Sequence, residues 1–146
     1  MSAPPKSTNA NFEKTVRESF ARQGLMGTIG AWLVEVKPGR VLIELPFSQR
    51  VAQQHGLFHG AVVGAIADTA GGYAALSLLS AGSEVVTVEY KINFLRQAKG
   101  QMLRADAHVL NSGKTLSVVR VDVAAFDDGK SDICATLQAT MMRVTA

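Results

Sequence analysis

Residues 60–79, Gly-Ala-Val-Val-Gly-Ala-Ile-Ala-Asp-Thr-Ala-Gly-Gly-Tyr-Ala-Ala-Leu-Ser-Leu-Leu, form an apolar run in which Asp68 is the only charge. The run reads as one long helix that is apolar nearly all round, and such a helix must be covered on every side. A sheet curling about it covers part, and a partner subunit is the economical cover for the rest. Asp68 is costly in that setting, because desolvating an ionised carboxylate costs several kcal/mol unless it is paired or hydrogen-bonded. No Lys or Arg lies between Val51 and Lys91 to pair with it locally. Chemistry is a leading reason to keep such a group.

A span of this length also fits a membrane. The abundance of Gly and Ala, the embedded Asp68 and the strand-rich remainder exclude that reading in favour of a core helix. The flanking sequence supplies the sheet. Ile29–Val36 and Val41–Phe47 are β-type runs separated by Lys-Pro-Gly-Arg, a strong turn signal. Val85–Leu95, Met102–Leu110, Leu116–Phe126 and Ile133–Val144 are four more, and Asn111-Ser-Gly and Asp127-Asp-Gly between the later ones are good hairpin formers. Residues 11–23 carry Phe12, Val16, Ser19 and Phe20 near helical spacing and meet Gly24, a glycine stop. The expected order is α, β, β, α, then four β: an α+β fold in which a curved antiparallel sheet wraps one long helix.

With 146 residues and a mean hydropathy of +0.14, the chain has the size of one domain, residues 11–146, preceded by a mobile tail over residues 1–10. That tail lacks the apolar segment of a signal peptide, so a cytoplasmic location is the default. A formal charge of +3 is too mild and dispersed for nucleic acid to be the main ligand, and it suits a small anionic one. Cys134 is the single cysteine, so no intrachain disulfide can form, and Cys/His spacing for a metal is absent. Ser77, Ser80 and Ser83 lack a recognisable His and Asp arrangement and there is no Gly-x-Ser-x-Gly elbow, which disfavours a serine hydrolase.

The chemistry concentrates around the start of the long helix. Gly60 opens it, so its backbone N–H has no partner inside the helix and sits at the positive end of the helix dipole, placed to stabilise an oxyanion. Asp68 can act as a nucleophile or as a general base on water. Eight helical residues separate the two by about 12 Å, whereas both must come within about 3.5 Å of one reacting centre. One chain therefore cannot supply both, and the spacing predicts a two-fold dimer with two shared sites.

The stretch Gln53-Gln-His-Gly-Leu-Phe-His59-Gly60, followed by Asp68 and Thr69-Ala-Gly-Gly-Tyr73, resembles the signature of hotdog-fold acyl-CoA thioesterases of the PaaI-like, phenylacetate-degradation-related group. The likeness runs from about Gly24 to the C-terminus and includes Val86–Arg96, Ala98-Lys-Gly100 and Gly113-Lys-Thr115. It implies an acyl-CoA thioesterase acting on aryl or medium to long chains, with no cofactor beyond the coenzyme A of the substrate. The resemblance also implies a homo-oligomer, a dimer or a tetramer, and the same shared site. Gln53 falls where relatives carry an amide that orients the carbonyl or holds the water, with Gln54 the off-by-one alternative. Thr87 falls where relatives often carry Ser or Thr near the catalytic carboxylate. Gly72 stands where one branch uses a hydroxyl, which argues against that branch's water-binding scheme. Arg96, Lys99 and Lys114 are the candidates for the phosphates of coenzyme A.

His59 is expected to fix the loop by hydrogen bonding or packing rather than to transfer protons. Phe58, with Leu57, either lines an acyl channel or anchors its loop, and Tyr73 and Trp32 belong to the core or the pocket wall. Gly64, Ala61, Ala65 and Ala75 are expected to permit close helix approach. Two other function classes compete. A hotdog hydratase or dehydratase would need an acid/base pair, for which His55 and Asp68 are the nearest substitute, and the proline-glycine helix entry of acyl-carrier dehydratases is missing. A noncatalytic acyl-CoA binder would use Asp68 only to hydrogen-bond a buried backbone.

Overall fold

In four strands apolar residues recur at every second position, and this alternation gives the sheet one continuous buried face. In the computed structural model, which describes residues 3–145, these are β2 (Arg40–Pro46), β4 (Met102–Ser112), β5 (Leu116–Asp127) and β6 (Lys130–Thr145). Their buried residues are Val41, Ile43 and Leu45; Leu103, Ala105 and Ala107; Val119, Val121 and Val123; and Ala135, Leu137, Ala139 and Met141. The period of two puts each set on one side of the pleat. With β1 (Trp32–Lys37) and β3 (Ser83–Phe94) they make a six-stranded, wholly antiparallel sheet of order β1-β2-β4-β5-β6-β3.

The long helix α3 (Gly60–Leu76) lies in this face and packs on β2 to β6. Val63, Ile66, Ala67, Ala70 and Ala74, at helical spacing, are fully buried against the sheet. Gly71 lets the helix come close: a Cβ there would lie 2.8 Å from Val119 Cγ2 and 3.3 Å from Met141 Cε. Of the residues expected to play that part, Gly64 has only the Tyr90 hydroxyl nearby, at 3.6 Å, so Gly71 is the position the sequence pattern missed. α3 ends at Leu76 rather than running on to Leu79, because Ser77 caps it: its hydroxyl donates to the Ala74 carbonyl and accepts the N–H of Gly39.

The β5–β6 turn has positive φ at both central residues, Asp128 (46°) and Gly129 (77°), as a two-residue primed turn requires. The N-terminal region departs from expectation. Gly24 does not stop a helix; α1 (Phe12–Ala21) gives way to a second helix, α2 (Gly24–Ile29), and the left-handed residue that ends it is Gly30, φ 82°. β1 therefore starts at Trp32 rather than Ile29. The segment expected to be free is tied down, since Thr8 N–H and Oγ1 both donate to the Leu78 carbonyl and Asn9 is buried. Residues 1 and 2 lie outside the described residues. Among the described residues no helix is long and apolar enough to cross a membrane.

Close approach at Gly71 gives a pair of opposite expectations. Gly71→Val overpacks against Val119, which is buried in a paired strand, and is expected to lower the free energy of unfolding by about 2 to 3 kcal/mol. Gly72→Ala, one residue on, meets only Val85 at 3.8 Å and should raise it by up to about 1 kcal/mol through helix propensity. Urea denaturation of the two variants checks both signs.

Candidate active site

The loop that leads into α3 is built on Gln53. Its backbone N–H donates to the Leu57 carbonyl at 2.8 Å, and its carbonyl accepts from Gly56, whose φ of 74° makes the turn. The Gln53 side-chain oxygen accepts from the N–H of His55 and, at 3.5 Å, from that of Leu57. Two N–H donors require an oxygen, so the amide NH2 is the end of Gln53 left to act outside the loop. Gln54 and His55 are exposed. Phe58 is buried and meets Phe47 edge-on, centroids 5.2 Å apart, which anchors the loop.

His59 caps the helix. Its Nδ1 accepts the N–H of Ala61 at 2.9 Å, while its own N–H donates to the Val51 carbonyl. Nδ1 is thereby committed as an acceptor, and this is the structural role expected of it. The N–H of Gly60 forms no hydrogen bond among the described residues. A ring edge of Phe94 lies against Gly60, with Cζ 3.3 Å from where a Cβ would stand.

Asp68 is half-buried rather than enclosed, because the sheet leaves one stripe of α3 open, running through Ala61, Ala65, Asp68, Thr69 and Gly72. No cation pairs with it among the described residues. Its Oδ1 accepts the hydroxyl proton of Thr87 at 2.8 Å, and its Oδ2 makes no hydrogen bond there. Thr87 stands on β3 next to a bulge: Thr87 pairs with Met141 and Glu89 with Thr140, leaving Val88 as the extra residue. The bulge changes which parity faces the helix. Val85 lies by Gly72 and Thr87 by Asp68, but beyond Val88 it is Tyr90 that lies by Gly64 and Phe94 by Gly60.

A cleft of about 190 Å³ opens beside Asp68, between α3, the end of α1 and the start of β3. Tyr73, buried, reaches its wall: Gln23 Nε2 donates to the Tyr73 hydroxyl at 3.0 Å, and Ser19 Oγ lies 3.1 Å from it. Ser19 and Gln23 carry no signal in the sequence, since their partner stands some fifty residues away.

The structure separates the three cations. Lys99 lies beside the loop that enters α3, because the Ala98 carbonyl accepts from the N–H of Phe58, and Arg96 is nearby at the end of β3, paired with Asp132 at 2.8 Å. Lys114 sits in the β4–β5 turn at the opposite end of the sheet, and strands of twelve residues span about 40 Å. One chain cannot bring all three to one ligand.

Loss of the cap tests the loop. His59→Ala is expected to cost about 1 kcal/mol of stability, and His59→Asn, which keeps a good cap, only a fraction of that. Thermal unfolding of the two variants, compared with wild type, provides the readout.

Known proteins share both pattern and shape with this chain. A sequence profile described as the thioesterase superfamily matches residues 55–131. Human acyl-coenzyme A thioesterase 13 is 31% identical over 99 residues, which cover 67% of this chain and 70% of that protein. The crystal structure of a thioesterase family protein from Silicibacter pomeroyi superposes with a TM-score of 0.91 at 41% identity, over 92% of this chain and 99% of that one. The PaaI protein of the E. coli phenylacetic acid degradation operon shares the fold, with a TM-score of 0.83 at 20% identity over 96% and 98% of the two chains. On the profile match, the shared fold and the identity to these relatives, the chain belongs to the thioesterase superfamily, with the hotdog architecture of PaaI-like proteins.

Proposed function

We propose that the protein hydrolyses acyl-CoA thioesters in sites shared between two subunits, and that Asp68 is the general base. The observation that carries this reading is the Asp68–Thr87 pair. A hydroxyl fixes one carboxylate oxygen and leaves the other open to take a proton from water. The Gly60 N–H, unbonded at the start of α3, serves as the oxyanion donor. Gln53 uses its oxygen inside the loop and offers its NH2 to the carbonyl or to the water. Water attacks the thioester carbon, Asp68 takes its proton, and the tetrahedral oxyanion rests on Gly60 N–H. The oxyanion then collapses and breaks the C–S bond, and the proton held by Asp68 passes to the departing sulfur, which releases coenzyme A and the free acid and restores the carboxylate.

The twofold arrangement follows from length and from edges. Gly60 and Asp68 stand about 12 Å apart on one helix, so each site takes Gly60 and Gln53 from one subunit and Asp68 and Thr87 from the other. β3 is an edge strand that exposes Val88, Tyr90 and Phe94, and Tyr90 and Phe94 lie beside the open stripe of α3. A long apolar edge of that kind calls for cover, and a second copy supplies it while bringing the two half-sites together. Lys99 and Arg96, beside the loop that carries Gln53 and Gly60, are then placed for the phosphates of coenzyme A.

Two measurements test this. Asp68→Asn is expected to lower kcat on a responsive acyl-CoA by at least about a hundredfold; undiminished activity would sink the catalytic role. Gly60→Pro removes the proposed oxyanion donor, since proline is tolerated at the first position of a helix and the preceding His59, at ψ 136°, is already extended; its Cβ also presses on the Phe94 ring, 3.3 Å away, which is exposed and gives by a small shift. Each variant alone should be inactive. Refolded together in equal amounts, they should recover about a quarter of wild-type activity, because half the dimers then hold one intact site of two. No recovery would overturn the shared site.

A further inference from the structure

Of the residues that alternate inward along β6, Ala135, Leu137, Ala139 and Met141, only the last has a side-chain atom that can accept a hydrogen bond. A buried methionine ordinarily fills gaps. This one stands directly opposite Thr87 in the β3–β6 ladder, at the last pair before the Val88 bulge. Thr87 Oγ1 lies 2.8 Å from Asp68 Oδ1 and 3.4 Å from Met141 Sδ. Met141 is 1% exposed, and its Cε lies 3.3 Å from where a Cβ on Gly71 would stand. The side chain thus passes beneath α3 from Thr87 to Gly71, about one turn beyond Asp68, and packing at both ends holds the sulfur in place.

We propose that Met141 is a positioning residue for the hydrolysis: its thioether gives the Thr87 hydroxyl a second acceptor while Asp68 carries a proton. The inference rests on the thioesterase reading above. Thr87 has one hydroxyl proton and two acceptors within reach, so it serves them in turn. While Asp68 is ionised, its charge makes the stronger bond and takes that proton. Once Asp68 has drawn a proton from water it is neutral, and the hydroxyl turns to Met141 Sδ without its oxygen leaving its place. The hydroxyl proton stays on Thr87 throughout. An apolar residue at position 141 would leave the hydroxyl in that state with a single, weakened partner, and a donor poorly paired inside the protein costs free energy. That cost arises only as the proton moves, so it enters kcat and not substrate binding.

A double-mutant cycle tests this, with kcat and KM measured on one responsive acyl-CoA. Met141→Leu conserves the volume and removes the sulfur, while Thr87→Val keeps the shape and removes the hydroxyl. Met141→Leu is expected to lower kcat about fivefold, which is about 1 kcal/mol. KM should stay within about twofold of wild type, because Met141 does not line the cleft beside Asp68. In the Thr87→Val background the same exchange should change kcat by less than about 1.5-fold, since the group it acts through is gone. An equal loss in both backgrounds is what packing alone gives, and it would overturn the proposal. So would an unchanged kcat in Met141→Leu, or a Thr87→Val enzyme as active as wild type; either result leaves hydrolysis by Asp68 to its own test. Should the leucine variant fail to fold, norleucine incorporated in place of methionine exchanges sulfur for methylene alone and is read in the same two backgrounds. No turnover of any thioester by folded wild type would instead remove the thioesterase reading, and this inference with it.

Discussion

The contact on which the rest of the structure depends is that of α3 with the concave face of the sheet. It works because both surfaces are small where they meet. Gly71 comes within contact distance of Val119 and Met141, and Ala105, Ala107, Ala135 and Ala139 keep the facing strands low. Interiors this tight do not tolerate an added methylene without strain. The same contact leaves one stripe of the helix uncovered, and Asp68 stands on that stripe. Its charge is tolerated there because the stripe is only half-buried within one subunit, so the severe desolvation inferred from the apolar run does not arise in the single chain.

The bulge at Val88 ties that stripe to the edge strand. A regular strand would send Thr87 and Phe94 to opposite faces, since side chains alternate with a period of two. One extra residue lets both face α3, Thr87 against Asp68 and Phe94 against Gly60. A single irregularity thus places the two ends of the candidate site, and it does so on the strand whose outer edge is free.

Rigidity at the other end of the site comes from hydrogen bonds that close within a few residues. Gln53 holds the 53–57 turn with its own oxygen, and His59 holds the first turn of the helix with Nδ1. Both residues are polar and near the proposed chemistry, yet each commits one atom to the backbone. What remains outward is an amide NH2 and an unbonded Gly60 N–H, donors both, which is the polarity a developing oxyanion needs.

Much of this was legible in the residues because it is local. The β-type runs over residues 102–144, the Asp127-Asp-Gly turn, the helix from Gly60 and the eight-residue spacing to Asp68 depend on neighbours in the chain. The second helix was missed because Gly24 read as a stop, whereas the chain turns left-handed six residues later, at Gly30. Strand order, the Val88 bulge, the separation of Lys114 from Arg96 and Lys99, and the meeting of Ser19, Gln23 and Tyr73 belong to the tertiary structure alone. The pairings β2–β4 and β3–β6 join strands distant in sequence, and the polar wall joins residues some fifty apart. The sequence by itself determined which elements form and which groups carry chemistry, since propensity, periodicity and turn geometry act over a few residues. Which of those groups face one another was decided only when the sheet closed on the helix, because side-chain direction across such distances depends on register and packing that no local pattern encodes.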